Sequence, residues 1–468
     1  MNFYFPFIFY YGVLLFLLLN FIEHIVGFNL PNLQSLISLV IFCYALITLR
    51  IRAKLFPILL IVLAGLISLF TNQANIWEVY WMGMLELADI IVLILIVPLI
   101  SWIILHEKYI DSIFSKASFI LKTRVSYFSG VMLFTQVLSH FLLIGSIPLI
   151  YQFVKENIKE THIGIEKLKN LSILRGFSLG TLWVVTIPSF SYSVQTSNAS
   201  ILTVIIQGFI FSSISILVSI YFFVHKYQSA WVNAASMIDN KISSIEHQID
   251  KGYMNKCVKE FLLLFIFFFG VTVLIHLLLD WDLLVVIPQV TIICVLAYFL
   301  FKKSLILLMS HSKHYFLNDI MRKNEELSIY FSVSIFIYAV QVSDIGIYIA
   351  DVLNLLTSSP LINLYMLLPF LMVLLGFVGL GPLTSMVLVG GLINSLSIDF
   401  IPELLVLSLT VGSAISIMMS PIGVSVIMLS TVSNIGKLEL SLKSNYTYCL
   451  FIYLFSQVYI QVILTISN

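Results

Sequence analysis

Apolar residues run along this chain in long blocks separated by short polar stretches. A membrane-spanning helix needs roughly 20 apolar residues. Blocks of about that length occupy 3–21, 31–49, 55–71, 85–105, 128–154, 171–197, 199–224, 260–279, 284–301, 327–343, 361–396, 402–433 and 446–467. The pattern predicts an all-α polytopic membrane protein. Two blocks fit no single upright helix: 128–154 is too long for one span and too short for two, and 361–396 reads as two spans or one deep hairpin.

The polar stretches decide the first case. With 128–154 entering and leaving on the same side, the stretches 50–54, 106–124, 155–175, 225–259, 302–326 and 434–445 share one face and hold all 24 Lys and Arg. The opposite loops (22–30, 72–84, 280–283, 344–360, 397–401) carry Asp and Glu but no basic residue. A single crossing would scatter this asymmetry, so the positive-inside rule favours a re-entrant hairpin and a cytoplasmic amino terminus in the cell membrane, with the carboxyl terminus outside. For 361–396 sidedness is neutral, and Gly376, Gly379, Gly381 and Pro382 near its middle favour a hairpin. The expectation is about 11 transmembrane helices plus two re-entrant hairpins in two inverted repeats. The parts are an initial helix (1–30), a first repeat (31–224), a cytoplasmic linker (225–259) and a second repeat (260–468).

Both hairpins carry similar punctuation, Gly145-Ser146-Ile147-Pro148 and Gly379-Leu380-Gly381-Pro382, and each is followed at nearly equal distance by a second interruption, Ile187-Pro188-Ser189 and Ser420-Pro421-Ile422. Hairpin 128–154 would open from inside and hairpin 361–396 from outside. Broken helices 171–197 and 402–433 would cross in opposite senses. Paired breaks in corresponding positions of two halves point to a transporter's binding site. Before the first hairpin, Ile110, Ile113, Phe114, Ala117, Ile120 and Leu121 share one helical face, and 344–359 shows a comparable stripe of Asp344, Asp351, Asn354 and Ser358; both read as interfacial helices.

Composition agrees: 60% of residues are hydrophobic and 10% charged, and a net charge of +1 offers nothing for nucleic acid. Cys43, Cys257, Cys294 and Cys449 show no paired spacing, so neither a disulfide nor a metal site is expected. The opening block lacks a basic n-region and reads as an uncleaved span.

Irregular backbone at membrane depth is tolerated where it is buried in protein or lines a polar cavity. Its half-helix amino ends suit an anion and its carbonyl ends suit Na⁺. Candidate substrate- or ion-binding residues are Ser139, His140, Gly145, Ser146, Pro148, Thr186, Pro188 and Ser189 around the first breaks. Around the second they are Gly379, Gly381, Pro382, Thr384, Ser385, Ser420, Pro421 and Ser425, with Ser416 nearby. Singly, such residues are kinks and packing points; as a fourfold constellation they read as a site. His140 could bind substrate or carry a proton, but a neutral histidine bonded to a backbone carbonyl is the simpler reading. Gln136 and Gln341 read as interhelical glue, and His276 as structural. The hairpins and broken spans contain no Asp or Glu in their apolar interiors, which favours Na⁺ over H⁺ coupling.

This layout resembles the ion transporter superfamily, in particular its divalent anion/sodium symporters. There an initial helix precedes two inverted repeats, each with an interfacial helix, a re-entrant hairpin and a span unwound at mid-membrane. The family's Ser-Asn-Thr signatures are absent; Gly145-Ser146-Ile147-Pro148 and Gly379-Leu380-Gly381-Pro382-Leu383-Thr384-Ser385 stand in their places. The resemblance implies elevator-type alternating access and a homodimer, with the hairpins and broken spans moving against a scaffold of the remaining helices.

The expected function is secondary active transport of a small anionic solute, coupled to Na⁺ or H⁺, with no enzymatic activity and no cofactor beyond the coupling ion. The alternative is a membrane enzyme of cell-surface glycan assembly. Such an enzyme typically needs a sizeable outer loop with Arg or acidic residues to hold a pyrophosphate-linked sugar, and no outer loop here exceeds roughly 17 residues or holds Lys or Arg. A channel reading finds no filter-like motif.

Overall fold

A computed structural model describes residues 5–71, 75–117, 123–157, 163–226, 251–357, 363–396 and 398–467. Every regular element among these residues is helical. Helices satisfy their own backbone groups, which a hydrocarbon surrounding cannot do. Ten helical segments among the described residues are long and apolar enough to cross a membrane, or eleven if the bent pair Leu305–Gln341 and Ile345–Leu355 counts as one span. The chain is a polytopic all-α membrane protein. The bend in that pair is 86°, so the helix expected in the interface, Ile345–Thr357, turns nearly square to the helix before it. Its counterpart is described as Tyr109–Ala117; Ile120 and Leu121 lie outside the described residues, as do Ser358 and most of the expected linker.

The helices gather into two compact units. One holds Met1–Leu99, Ile275–Pro360 and Leu388–Asp399; the other holds Ile100–Leu274, Leu361–Val387 and Phe400–Asn468. Each takes helices from both sequence halves, so these units do not follow the expected division at 225–259. Helices Ile201–Lys226 and Lys251–Leu279 also run into that expected linker from either side.

In the first unit, helix Asn324–Gln341 packs against Pro31–Thr48, Ile51–Thr71 and Ile76–Gly83. Ser334 fixes the non-helical turn after the last of these, donating to Gly83 O (2.6 Å) and accepting from Leu87 N (3.0 Å). Helix Ala88–Ile96 is buried at every position but Asp89, which explains why the rest of its sequence is apolar all round and shows no stripe. Asp89 at its start accepts from Asn20 Nδ2 (2.7 Å) and lies 2.9 Å from His24 Nε2.

The second unit contains the first hairpin, both broken helices and the second hairpin as far as Val387. The first hairpin has an outgoing arm, Arg124–Leu142, and a return arm, Ser146–Asn157. The first broken helix has a lead half, Ile163–Gly180, and a trailing half, Pro188–Thr196. Gly176 lies against Met132 and Thr135, and Gly180 against Gln136 and Ser139. Residue numbers rise together along that contact, so the outgoing arm and the lead half run parallel. The return arm that joins them must therefore run backward, and Tyr151 on it donates to Glu166 Oε2 of the lead half (3.0 Å). The block 128–154 is thus a hairpin.

The second hairpin repeats this construction. Its outgoing arm is Leu364–Val378 and its return arm Pro382–Ser395. The second broken helix comprises lead half Pro402–Met419 and trailing half Val424–Ser433. Gly412 lies against Pro369 and Met372, and Gly376 against Ser416, so outgoing arm and lead half are again parallel. The amide of Ile401 donates to Tyr365 Oη (2.6 Å), tying the start of the lead half to the start of the outgoing arm. The arms are 15 and 14 residues long, about 21–23 Å at a helical rise, too short to cross singly. This favours one hairpin over two spans in 361–396.

The two broken helices run in opposite directions. Ser200 N, just after the first, donates to Glu403 Oε1 at the start of the second (3.1 Å). Lys167 Nζ, near the start of the first, lies 3.2 Å from Glu439 Oε1 just beyond the end of the second.

The first lead half starts at Ile163 rather than at 171, and it carries Glu166, Lys167, Lys169 and Arg175. The helix thus begins eight residues before the expected span 171–197, within the polar stretch 155–175. Lys169 is buried beside Glu166 (2.9 Å), whose other oxygen accepts from Tyr151. Arg175 is also buried. It donates to Asn445 Oδ1 (2.9 Å), Ser219 Oγ (2.9 Å) and Ser444 O (3.2 Å), and its guanidinium lies 4.2 Å from the Tyr448 ring centroid. A planar fork over an aromatic face is a use of arginine that lysine does not replace.

Candidate functional site

Each hairpin tip meets the break of its own broken helix. At the first, the chain turns at Leu143, whose φ of 48° is left-handed and costs a side-chain-bearing residue roughly 1–2 kcal/mol. Ser146 steadies the turn by donating to Leu143 O (2.8 Å). The expected pivot Gly145 is exposed and does not have a positive φ, and Pro148 lies inside the return arm. The turn thus sits two residues before the Gly-Pro punctuation marked it. At the second tip the punctuation is accurate: Gly379 is left-handed (φ 105°) and caps the outgoing arm, and Pro382 opens the return arm.

Around the first break, Ser139 is buried and donates to Gln136 O (2.6 Å). His140 Nδ1 lies 3.1 Å from the same carbonyl. A carbonyl only accepts, so Nδ1 carries the proton. The imidazole is packed among Trp183, Phe265 and Phe269, which gives His140 the structural bond of the simpler reading. Thr186 from the unwound segment donates to His140 O (2.7 Å), so Ser139, His140 and Thr186 stand together. Pro188 is the first residue of the trailing half, with buried Ser189 after it; Ile187 caps that half without a side-chain hydrogen bond. Helix Ile201–Lys226 closes on the break through Gly208, where a Cβ would overlap Leu182 O.

Around the second break, Ser420 donates to Gly376 O (2.8 Å), and Ile422 lies against Gly379. Pro421 follows Ser420, and Gly423 caps the trailing half, again without a side-chain bond. Ser425 is buried in its first turn. Thr384 and Ser385 are buried at the start of the return arm, and Gly381 has open space where a side chain would stand. Neither trailing half has a side-chain cap. In the first, Pro188 has no N–H and Phe190 N and Ser191 N already donate to Ile187 O, which leaves Ser189 N for another acceptor. In the second, Ile427 N donates to Gly423 O, which leaves the amides of Val424, Ser425 and Val426.

Four buried side-chain atoms near these breaks have no hydrogen-bond partner among the described residues: Gln136 Nε2, Ser193 Oγ, Ser385 Oγ and Ser416 Oγ. Each such group costs about 1–3 kcal/mol when left unmade, and native proteins satisfy most of them. Ser385 and Ser416 supply hydroxyl oxygens suited to a monovalent cation. No group of three or more His, Cys, Asp or Glu suited to a metal occurs among the described residues.

Sequence reading missed the grip between each hairpin and its broken helix. The signal was present as Gly176-x-x-x-Gly180 and Gly412-x-x-x-Ser416, the small-residue spacing that lets helices approach closely in a membrane. The chain matches no protein-family model and no curated protein sequence.

Proposed function

We propose that this protein is a secondary active transporter of a small anionic solute in the cell membrane, of the inverted-repeat kind that the sequence resemblance implies. The observation that carries the reading is the presence, within one compact unit, of two oppositely directed broken helices, each packed parallel to the outgoing arm of a hairpin. Each such pair sets an uncapped trailing half-helix beside its own hairpin tip. Two half-helix amino ends at interrupted spans suit an oxyanion. The unit that holds them would be the moving element of an elevator, and the helices of the other unit its scaffold. The amino terminus would face the cytoplasm, as the basic stretches require.

Glu166 changes the coupling argument. With a carboxylate in the first lead half, hydrogen-bonded to Tyr151 and paired with Lys169, proton coupling has a group to use alongside the hydroxyls suited to Na⁺. The test is charge movement in proteoliposomes on a solid-supported membrane, with jumps of small carboxylates and inorganic oxyanions under separate Na⁺ and pH gradients. Anion-dependent currents that need one gradient support the proposal. Silence across the panel with correctly inserted protein would refute it.

A further inference from the structure

Gln136 sits on the outgoing arm of the first hairpin, one turn before His140, and is fully buried. Its carboxamide oxygen accepts from Trp183 Nε1 (2.8 Å) in the unwound segment and from Ser212 Oγ (3.0 Å) on helix Ile201–Lys226. Both partners are donors here, so the oxygen and nitrogen of the amide are distinguished by chemistry. Two donors from two elements fix the amide plane and leave the nitrogen on the branch away from both. That nitrogen is buried and has no partner among the described residues.

We propose that Gln136 is a solute-binding residue whose two N–H groups receive an oxygen acceptor of the transported solute at the first break. This rests on the transport reading above and deepens it, by assigning a donor outside the Gly, Pro and hydroxyl constellation. As interhelical glue, Gln136 needs only its oxygen; a serine or methionine-sized side chain would fill the remaining space without two buried donors. The position fits the role. The same residue's backbone carbonyl accepts from Ser139 and His140, and its side chain contacts the half-buried Trp183, whose ring lies tilted against His140 with centroids 4.8 Å apart. The amide nitrogen is buried in this structure, so an acceptor reaches it in a conformation in which the packing around it opens. The chemistry recognised is an oxygen acceptor, which a carboxylate, an inorganic oxyanion or a neutral amide each provides.

The experiment measures thermal unfolding of the full chain in lipid nanodiscs, titrated with sodium acetate, sodium phosphate or acetamide. Wild type is compared with Gln136→Glu, which keeps an oxygen for Trp183 and Ser212 but removes both donors, and with Gln136→Met, which adds no charge. The expected result is stabilisation of wild type by acetate or phosphate, with the midpoint concentration raised on the order of 10- to 100-fold in both variants. Stabilisation by acetamide alone, lost in both variants, keeps the role of Gln136 and overturns the anionic solute. Equal midpoints in wild type and in whichever variant melts cooperatively overturn the role of Gln136 and leave the anion reading standing. No stabilisation of wild type by any of the three overturns both.

Discussion

One methyl group distinguishes two glycines that look alike in the sequence. At Gly208 a Cβ would overlap the Leu182 carbonyl oxygen, whereas at Gly270 nothing lies within 4 Å. Gly208→Ala should therefore cost about 1–3 kcal/mol as helix and break are forced apart. Gly270→Ala should leave stability unchanged within ~0.5 kcal/mol or raise it slightly. Thermal or denaturant unfolding of the two variants checks this, and equal stability would show that the break is not packed as described. Electrostatics at this scale gives a second outcome. Asp282, between two spans, has its carboxyl pKa raised, chiefly by burial and then by Asp89, with His24 and His276 partly offsetting them. A raised folded pKa means the proton is held more tightly in the folded state. The residue is then most favourable below its unfolded value and loses that contribution as pH rises through the folded one. Asp282→Asn should raise the melting temperature near neutral pH and have little effect below about pH 4; an effect of the same size at both pH values would contradict the assignment. Single residues were the least legible scale. Gly379 was readable because a left-handed cap favours glycine, but Leu143 was not, because tertiary packing there holds a residue that carries no mark of a turn.

Helices were easier to read than their ends. The long apolar blocks follow from the span length that a bilayer demands, and nearly all reappear as helices. The first broken helix was cut short because Glu166, Lys167, Lys169 and Arg175 look like loop charges. Lys169 pairs with Glu166 three residues away, but Glu439, Tyr151, Ser219, Asn445 and the Tyr448 ring, which partner Lys167, Glu166 and Arg175, are distant in sequence, and no local window contains them. The hairpin in 128–154 was legible only through the placement of Lys and Arg elsewhere in the chain, and the parallel course of Arg124–Leu142 and Ile163–Gly180 now supports it independently. Both ends of that hairpin should lie on one face of the membrane. Single cysteines at the exposed positions 123 and 156 should react with a membrane-impermeant thiol reagent from the same side. Labelling from opposite sides would make the segment a crossing and reverse the topology of everything after it.

At the scale of the whole molecule, the compact units do not follow the halves of the chain. Sequence resemblance implies a moving body made of hairpins and broken helices and a scaffold made of the rest, and the unit holding Ile100–Leu274, Leu361–Val387 and Phe400–Asn468 contains both outgoing arms, both tips and both broken helices. The chain leaves that unit within the second return arm, between Val387 and Leu388. The solute's identity was not legible at any scale, because backbone amides and hydroxyls recognise a class of ligand and not a member of it. The central claim is that the paired breaks form the transport site. Its most direct test is the anion-driven current of proteoliposomes carrying Pro188→Ala, Pro421→Ala or Gly381→Leu. Gly381 has room for a side chain, so its variant should fold and insert, which separates loss of function from loss of structure. All three variants are predicted to insert at wild-type levels and to lose at least nine-tenths of the current, about 1.4 kcal/mol or more in rate terms; undiminished current in all three would contradict the account.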